Sequence, residues 1–336
     1  MRWIRKLFVL LLLLLISGAG AAWYWVHRPM SLASPTVEIS IEGGTLPTRV
    51  ARQWVEAGVQ VSPRLLYEWF RWSGKAKKIR AGSYEITAGI TPADLLKKMM
   101  DGDETLAKVR LIEGWTFRQF RAALAKAEAL QPITAQMGDA EIMAALGSPG
   151  LPAEGFFFPD TYAYSKGSTD LAVLGRAHVI MQKKMNAAWA QRSEQSPLRS
   201  PQEALILASI VEKETGLASD RSKIAGVFIN RLQSNMPLQT DPTVIYGMGE
   251  AFNGNLRKND LQTDTPFNTY IRPGLPPTPI AMPGKAAIHA VLHPENTKAL
   301  YFVARGDGSS VFSETLAEHN RAVNRYQRGQ RPERTP

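Results

Sequence analysis

The sequence predicts an α+β protein behind a single N-terminal transmembrane helix, with a small α+β module at 37–103 and a larger mixed α+β domain at 104–330. Three observations predict this. An uncharged apolar run covers Leu7 to Val26. Strand-like and helix-like hydrophobic periods then alternate up to Gly102. Beyond that, capped helices are separated by loops dense in Pro, Gly, Asn and Thr.

The apolar run is long enough to cross a bilayer. About 20 residues at 1.5 Å each span roughly 30 Å, the thickness of the hydrocarbon core. A helix satisfies its own backbone hydrogen bonds there. Arg2, Arg5 and Lys6 precede the run, so residues 1–6 are expected on the cytoplasmic side. Trp23, Tyr24 and Trp25 close it, as interfacial aromatics do. The alternative is a cleaved signal peptide with its core at Leu7 to Ile16 and a small-residue cut at Ala19-Gly20-Ala21. The length of the core and the apolar aromatics beyond the cut favour retention. The bulk of the chain is then outside the cytoplasm.

Composition narrows the function. There is no cysteine, so neither disulfides nor a thiol nucleophile are available, and a sizeable core must supply stability. At 44% hydrophobic residues the chain can build one. The net charge of +10 suits anionic surroundings, including headgroups or acidic cell-wall polymer. An exported domain without a recognition motif argues against nucleic acid. The sequence holds no G-x-S-x-G elbow, Walker A loop or dinucleotide fingerprint, and no cofactor is expected.

In the small module, Val37 to Ile41 alternates as a strand and Gly43-Gly44 turns the chain. Helices are expected over Thr45 to Ala57 and Pro63 to Trp72, and a strand over Ala81 to Thr87. Thr91, Pro92 and Asp94 open a third helix that Gly102 closes. The stripe of Tyr67, Trp69 and Phe70 reads as core in preference to a sugar-binding face. In the larger domain, a strand is expected at Lys108 to Ile112 and a helix from Thr116. An aromatic loop follows at Gly155 to Tyr162, then a long helix from Ser168 or Thr169 to about Gln191. Ser200-Pro201-Gln202-Glu203 is a capping box that opens a helix ending near Gly216. Another helix covers about Arg221 to Gln233, and 234–284 reads mainly as loop.

The helix from Pro201 is apolar nearly all round yet ends in Glu212-Lys213-Glu214. Carboxylates at a helix C-terminus oppose the macrodipole, which raises a carboxyl pKa and suits a general acid. At about 100° per residue the two glutamates lie about 200° apart and cannot share a cleft. The apolar centre lies nearer Glu214, which is therefore the candidate acid, with Glu212 second. Candidate substrate-binding residues are Gln239, Thr240, Asp241, Tyr246, Asn268 and Tyr270. They combine amides, hydroxyls and flat rings, as sugar recognition requires. Asn and Thr in loops are also turn formers, and from pattern alone turn formation is the favoured explanation. His289 and His293 have a metal-ligand spacing, but no HExxH pattern accompanies them and no metal site is expected.

Several blocks, in order, resemble the MltG (YceG-like) family of endolytic murein transglycosylases. They are Glu154 to Tyr162, Ala208 to Thr215, Val227 to Leu232 and Leu238 to Gly247. Asn268-Thr269-Tyr270, Gly274 to Pro277, His293-Pro294, Tyr301-Phe302-Val303 and His319-Asn320 continue the series. Thr278 departs from the family, whose members often have glycine there. The resemblance implies a single-pass inner-membrane protein of a bacterium with a LysM-like module at 37–103 and a periplasmic catalytic domain. It implies cleavage of MurNAc–GlcNAc bonds in nascent peptidoglycan strands to leave 1,6-anhydroMurNAc ends, coupling to membrane peptidoglycan synthases, and a catalytic Glu in the Glu-Lys-Glu block. One carboxyl group suffices for that reaction. A hydrolytic muramidase using Glu214 with Asp241, and a non-catalytic peptidoglycan-binding scaffold, are the alternatives.

Overall fold

A computed structural model describes residues 2–193 and 196–328; residues 329–330 of the expected domain lie outside them. The fold is mixed α+β. It divides into two compact units, and the division differs from the sequence boundary at 103/104. The first unit runs to Lys108 and also takes in Glu128–Gln131 and Ala163–Ser168. Polar, long-range contacts join these segments. The Lys166 ammonium pairs with Glu38 at 2.8 Å and Glu128 at 3.2 Å, and Ser83 donates to the Lys166 carbonyl. No hydrophobic period marks such contacts.

The first unit begins with helix α1 (Arg2–His27), of which only Val26 is buried. It is the one described helix long and apolar enough to cross a membrane. Strand β1 (Thr36–Ile41), helices α2 (Pro47–Glu56) and α3 (Pro63–Trp72), strand β2 (Gly82–Thr87) and helix α4 (Pro92–Asp101) follow. β1 and β2 pair antiparallel, with Val37 opposite Ile86 and Ile39 opposite Tyr84. The alternation in β1 buries Val37, Ile39 and Ile41 on one face, as a period of two requires. Trp54, Leu66, Phe70, Leu95 and Met99 cover that face. The indole of Trp54 donates to the Met99 sulfur. Thr91 caps α4 through the Asp94 amide, and Gly102 ends it at φ 72°. Phe70 is core, and Tyr67 and Trp69 pack against the core while staying partly exposed.

Strand β3 (Leu106–Arg110) begins two residues earlier than expected and pairs with β4 (Thr161–Ser165). β4 lies where the sequence reads as the end of an aromatic loop. The second unit carries α5 (Phe117–Ala125), α6 (Asp139–Ala145), α7 (Asp170–Ala190), α8 (Pro201–Glu214) and α9 (Ala218–Gln233). It continues with α10 (Asp241–Met248), α11 (Lys258–Gln262), α12 (Lys285–Leu292), hairpin β5 (Tyr301–Ala304)–β6 (Ser310–Ser313) and α13 (Leu316–Tyr326). Its core is helical: α12 packs on α7, α8 and α9. Every residue of α8 from Ala204 to Val211 is buried. Each large aliphatic side chain there contributes about 1.5–3 kcal/mol relative to exposure. Ser200 caps α8 by accepting the Glu203 amide at 3.1 Å. The expected box is half made, because Glu203 turns to the amide of Arg199 instead. Gly226 lets α9 approach a neighbouring chain segment: a Cβ there would sit 2.6 Å from the Glu295 carbonyl oxygen.

The aromatic loop is part of this core. Phe157 stacks on Phe117 with ring centres 4.9 Å apart. The Phe158 amide donates to the Ala177 carbonyl, which ties the loop to α7. Gly155 has φ 86°, and a Cβ there would meet Pro279 at 2.4 Å.

Candidate active site

α8 delivers Glu212 and Glu214 to different places, as their angular separation requires. The Glu212 carboxylate accepts the Gly284 amide at 2.9 Å. Burial raises its pKa, this hydrogen bond opposes the rise, and nearby Glu113 adds to it. Glu214 instead lines a cleft of about 550 Å³, where Gln239, Asp241, Tyr270, Arg231 and His319 also present themselves. The Thr240 hydroxyl donates to its carboxylate. Burial drives the Glu214 pKa upward. The Thr240 hydrogen bond pulls it down, the charge of Asp241 pushes it up again, and the Arg231 guanidinium lowers it. The result is a carboxyl group raised above its ordinary value at the edge of an open cleft. A general acid needs this setting.

The loops around Glu214 are held by a hydroxyl network. Thr240 and Thr269 are buried, and the Thr269 hydroxyl accepts the Thr240 amide at 3.2 Å. Thr243 and Thr269 share a hydrogen bond at 2.8 Å. Gln239 is exposed to the cleft and takes φ 49°, a left-handed conformation that a glutamine rarely adopts. Its amide donates to the Thr269 carbonyl at 3.0 Å. Asp241 opens α10 and accepts the Tyr270 hydroxyl at 2.6 Å. The opposite wall is a stack. Arg231, buried on α9, donates to the carbonyls of Leu300 and Leu238 at 2.7 Å. Its guanidinium lies 5.3 Å from the Tyr301 ring centre, and His319 stacks on Tyr301 at 5.3 Å. Burial lowers the His319 pKa, and the Arg231 charge lowers it further.

These residues lie within a stretch that a family model, described as the YceG-like family, matches over residues 39–325. The chain belongs to the YceG-like family. It is 32% identical over 93% of its length to a Bacillus subtilis protein described as "Endolytic murein transglycosylase", and covers 91% of that protein. It is 26% identical over 95% of its length to a Streptococcus pneumoniae protein of the same description, of which it spans 65%. A crystal structure of a yceG-like protein from Listeria monocytogenes superimposes with TM-score 0.54 at 28% identity, covering 85% of this chain and 98% of that one.

Within this YceG-like chain, the structure brings Glu214, Gln239, Thr240, Asp241 and Tyr270 together, but not all the expected residues. Asn268 is fully buried, and its amide group is taken up by the loop. Its nitrogen donates to the Leu261 and Thr263 carbonyls, and its oxygen accepts the Tyr270 amide. Asn268 holds the Tyr270 backbone and does not line the Glu214 cleft. Tyr246 points into a separate cleft, where its hydroxyl donates to Glu154 at 3.2 Å. The sequence reading missed Arg231, Tyr301 and His319 as site residues. A lone arginine among the buried apolar residues of α9 is the signal that points to Arg231. Of the His289–His293 pair, His293 bonds the Gln191 carbonyl at 2.8 Å and stacks on His289.

Proposed function

We propose that this protein is a peptidoglycan lytic transglycosylase with Glu214 as its single catalytic acid–base. The observation that carries the reading is the raised-pKa carboxyl of Glu214, held by Thr240 in a cleft walled by amide, hydroxyl, aromatic and guanidinium groups. The relatives' descriptions as endolytic murein transglycosylases support the substrate and the reaction class. Protonated Glu214 donates to the glycosidic oxygen between MurNAc and GlcNAc as the C1–O bond breaks. The carboxylate so formed takes the proton of the MurNAc 6-hydroxyl, whose oxygen attacks C1. The products are a GlcNAc end with a free hydroxyl and a 1,6-anhydroMurNAc end, with no water consumed. Gln239, Asp241, Tyr270 and Arg231 bind the sugars.

Asp241 lines the same cleft, so two-carboxylate hydrolysis is the competing outcome. Mass spectrometry of peptidoglycan digested in heavy-oxygen water separates them. Anhydro ends without label, lost in Glu214→Gln, are expected; labelled reducing ends would overturn the reading. A Glu214→Gln variant that still cleaved glycan normally would remove Glu214 from the mechanism.

α1 acts as the retained anchor in a bacterial inner membrane, with the N-terminus cytoplasmic and the cleft periplasmic; its length and apolarity support this. The strand–helix–helix–strand order of β1, α2, α3 and β2 supports a LysM-like module. An anchored enzyme meets nascent strands beside membrane-bound peptidoglycan synthases, which are the expected partners.

A further inference from the structure

We propose that α3 and the outer end of α1 form a second membrane contact, seated in the headgroup region of the bilayer that α1 crosses. The inference rests on the reading of α1 as a retained anchor. α3 has two apolar faces. Leu66 and Phe70 point into the core. Leu65, Trp69 and Trp72, spaced by four and three residues, lie on another face. Trp72 is 79% exposed and Leu65 54% exposed, large values for such side chains. Scattered exposed apolar residues need no explanation, but these are contiguous. Together with Trp23, Trp25 and Val26 they line an open groove of about 540 Å³ whose walls are almost wholly apolar.

Two features identify lipid as the occupant. The groove continues the apolar surface of α1, and it lies at the end of the run, where a helix of this length emerges into the interface. Indole rings favour that depth, and the Trp72 nitrogen already has its partner, Glu68, at 3.0 Å. The flank is also strongly basic. Residues 64–80 hold Arg64, Arg71, Lys75, Lys77, Lys78 and Arg80 against one acid, Glu68. Arg28 adds a charge at the helix exit, 6.0 Å from the Tyr24 ring centre. Arg71 pairs with Glu68 at 2.7 Å, and the remaining excess of cations flanking Trp72 in the chain matches an anionic phospholipid surface.

The absence of cysteine makes a site-specific test direct. The full chain, one copy per nanodisc, carries a single bimane label at Leu12→Cys, Leu65→Cys or Trp72→Cys. Quenching by a nitroxide lipid labelled near the headgroup is compared with quenching by iodide in water. In discs containing phosphatidylglycerol, the labels at 65 and 72 should be quenched several-fold more by the lipid than by iodide. Replacing phosphatidylglycerol by phosphatidylcholine should reverse that ratio at 65 and 72, with no change at 12. Lipid quenching at 12 with iodide quenching at 65 and 72 would overturn the second contact and leave the anchor standing. Shielding of 65 and 72 from both quenchers would assign the groove to protein and also overturn it. A label at 12 open to iodide would remove the anchor, and the inference with it. Indifference of 65 and 72 to lipid charge would overturn the role of the basic flank.

Discussion

Glu214 sits where burial and the negative Asp241 both favour its neutral form, against the Thr240 hydroxyl and the Arg231 guanidinium. Its folded pKa is raised, so the acid form persists to higher pH and is lost as pH rises through that value. Glycan cleavage should therefore fall on the alkaline side, in steady-state rates across pH 4 to 8 or so. Glu214→Gln should cost at least about 100-fold in rate, the lower range for a general acid. Glu212→Gln should stay within about tenfold, the worth of one hydrogen bond, because Glu212 meets the Gly284 amide and not the cleft. Thr240→Val removes a donor that favours the carboxylate, so the alkaline limb should move up by about one pH unit. Glu154 offers a stability test. Burial pushes its pKa to about 7, against hydrogen bonds from the Phe117 amide and the Tyr246 hydroxyl. The folded state holds that proton more tightly than the unfolded chain. The stability it contributes is full below the ordinary value of 4.5 and is lost as pH rises towards 7. The loss is at most about 3 kcal/mol, and Glu154→Gln should flatten it in urea unfolding measured at both ends of that window.

The helices and strands show where local pattern suffices. α3 occupies the expected Pro63–Trp72 span, and α4 has its expected caps, because proline, a capping threonine and a left-handed glycine act within one turn. Ser200 is read correctly as the cap of α8, and Ser200→Ala should cost about 1 kcal/mol in thermal or urea unfolding. Gly226→Ala, which forces a methyl against the Glu295 carbonyl, should cost about 1–3 kcal/mol in the same measurement. α10 falls inside a stretch read as loop. Its N-cap, Thr240, makes no side-chain cap because the hydroxyl serves Glu214, so a residue that would mark a helix start serves the site instead. β4 escapes notice for a different reason. Its pairing partner β3 lies about 50 residues earlier, and its tyrosines read as a continuation of the aromatic loop.

For the whole chain, the residues of the Glu214 cleft all belong to the second unit, and the apolar helix α1 belongs to the first. A protein lacking residues 1–27 should then keep its chemistry on isolated glycan while losing much of its effect in cells, checked by product analysis beside complementation. Retention of full cellular effect would argue against anchoring as a requirement. The amino-acid order alone determined the mixed α+β class, the apolar run at Leu7 to Val26, the ends of the best-capped helices, and that Glu212 and Glu214 leave α8 in different directions. Those features depend on spacing along a helix or strand, and spacing is local. Only the tertiary structure decided that Arg231, Tyr301 and His319 wall the cleft, that Asn268 turns inward, and that Tyr246 faces Glu154. It also drew Glu128–Gln131 and Ala163–Ser168 into the first unit, where Lys166 meets Glu38 and Glu128. The reason is common to all of these. A cleft and a unit boundary are made by groups far apart in the chain, and their meeting follows from packing and desolvation, which leave no period in the sequence.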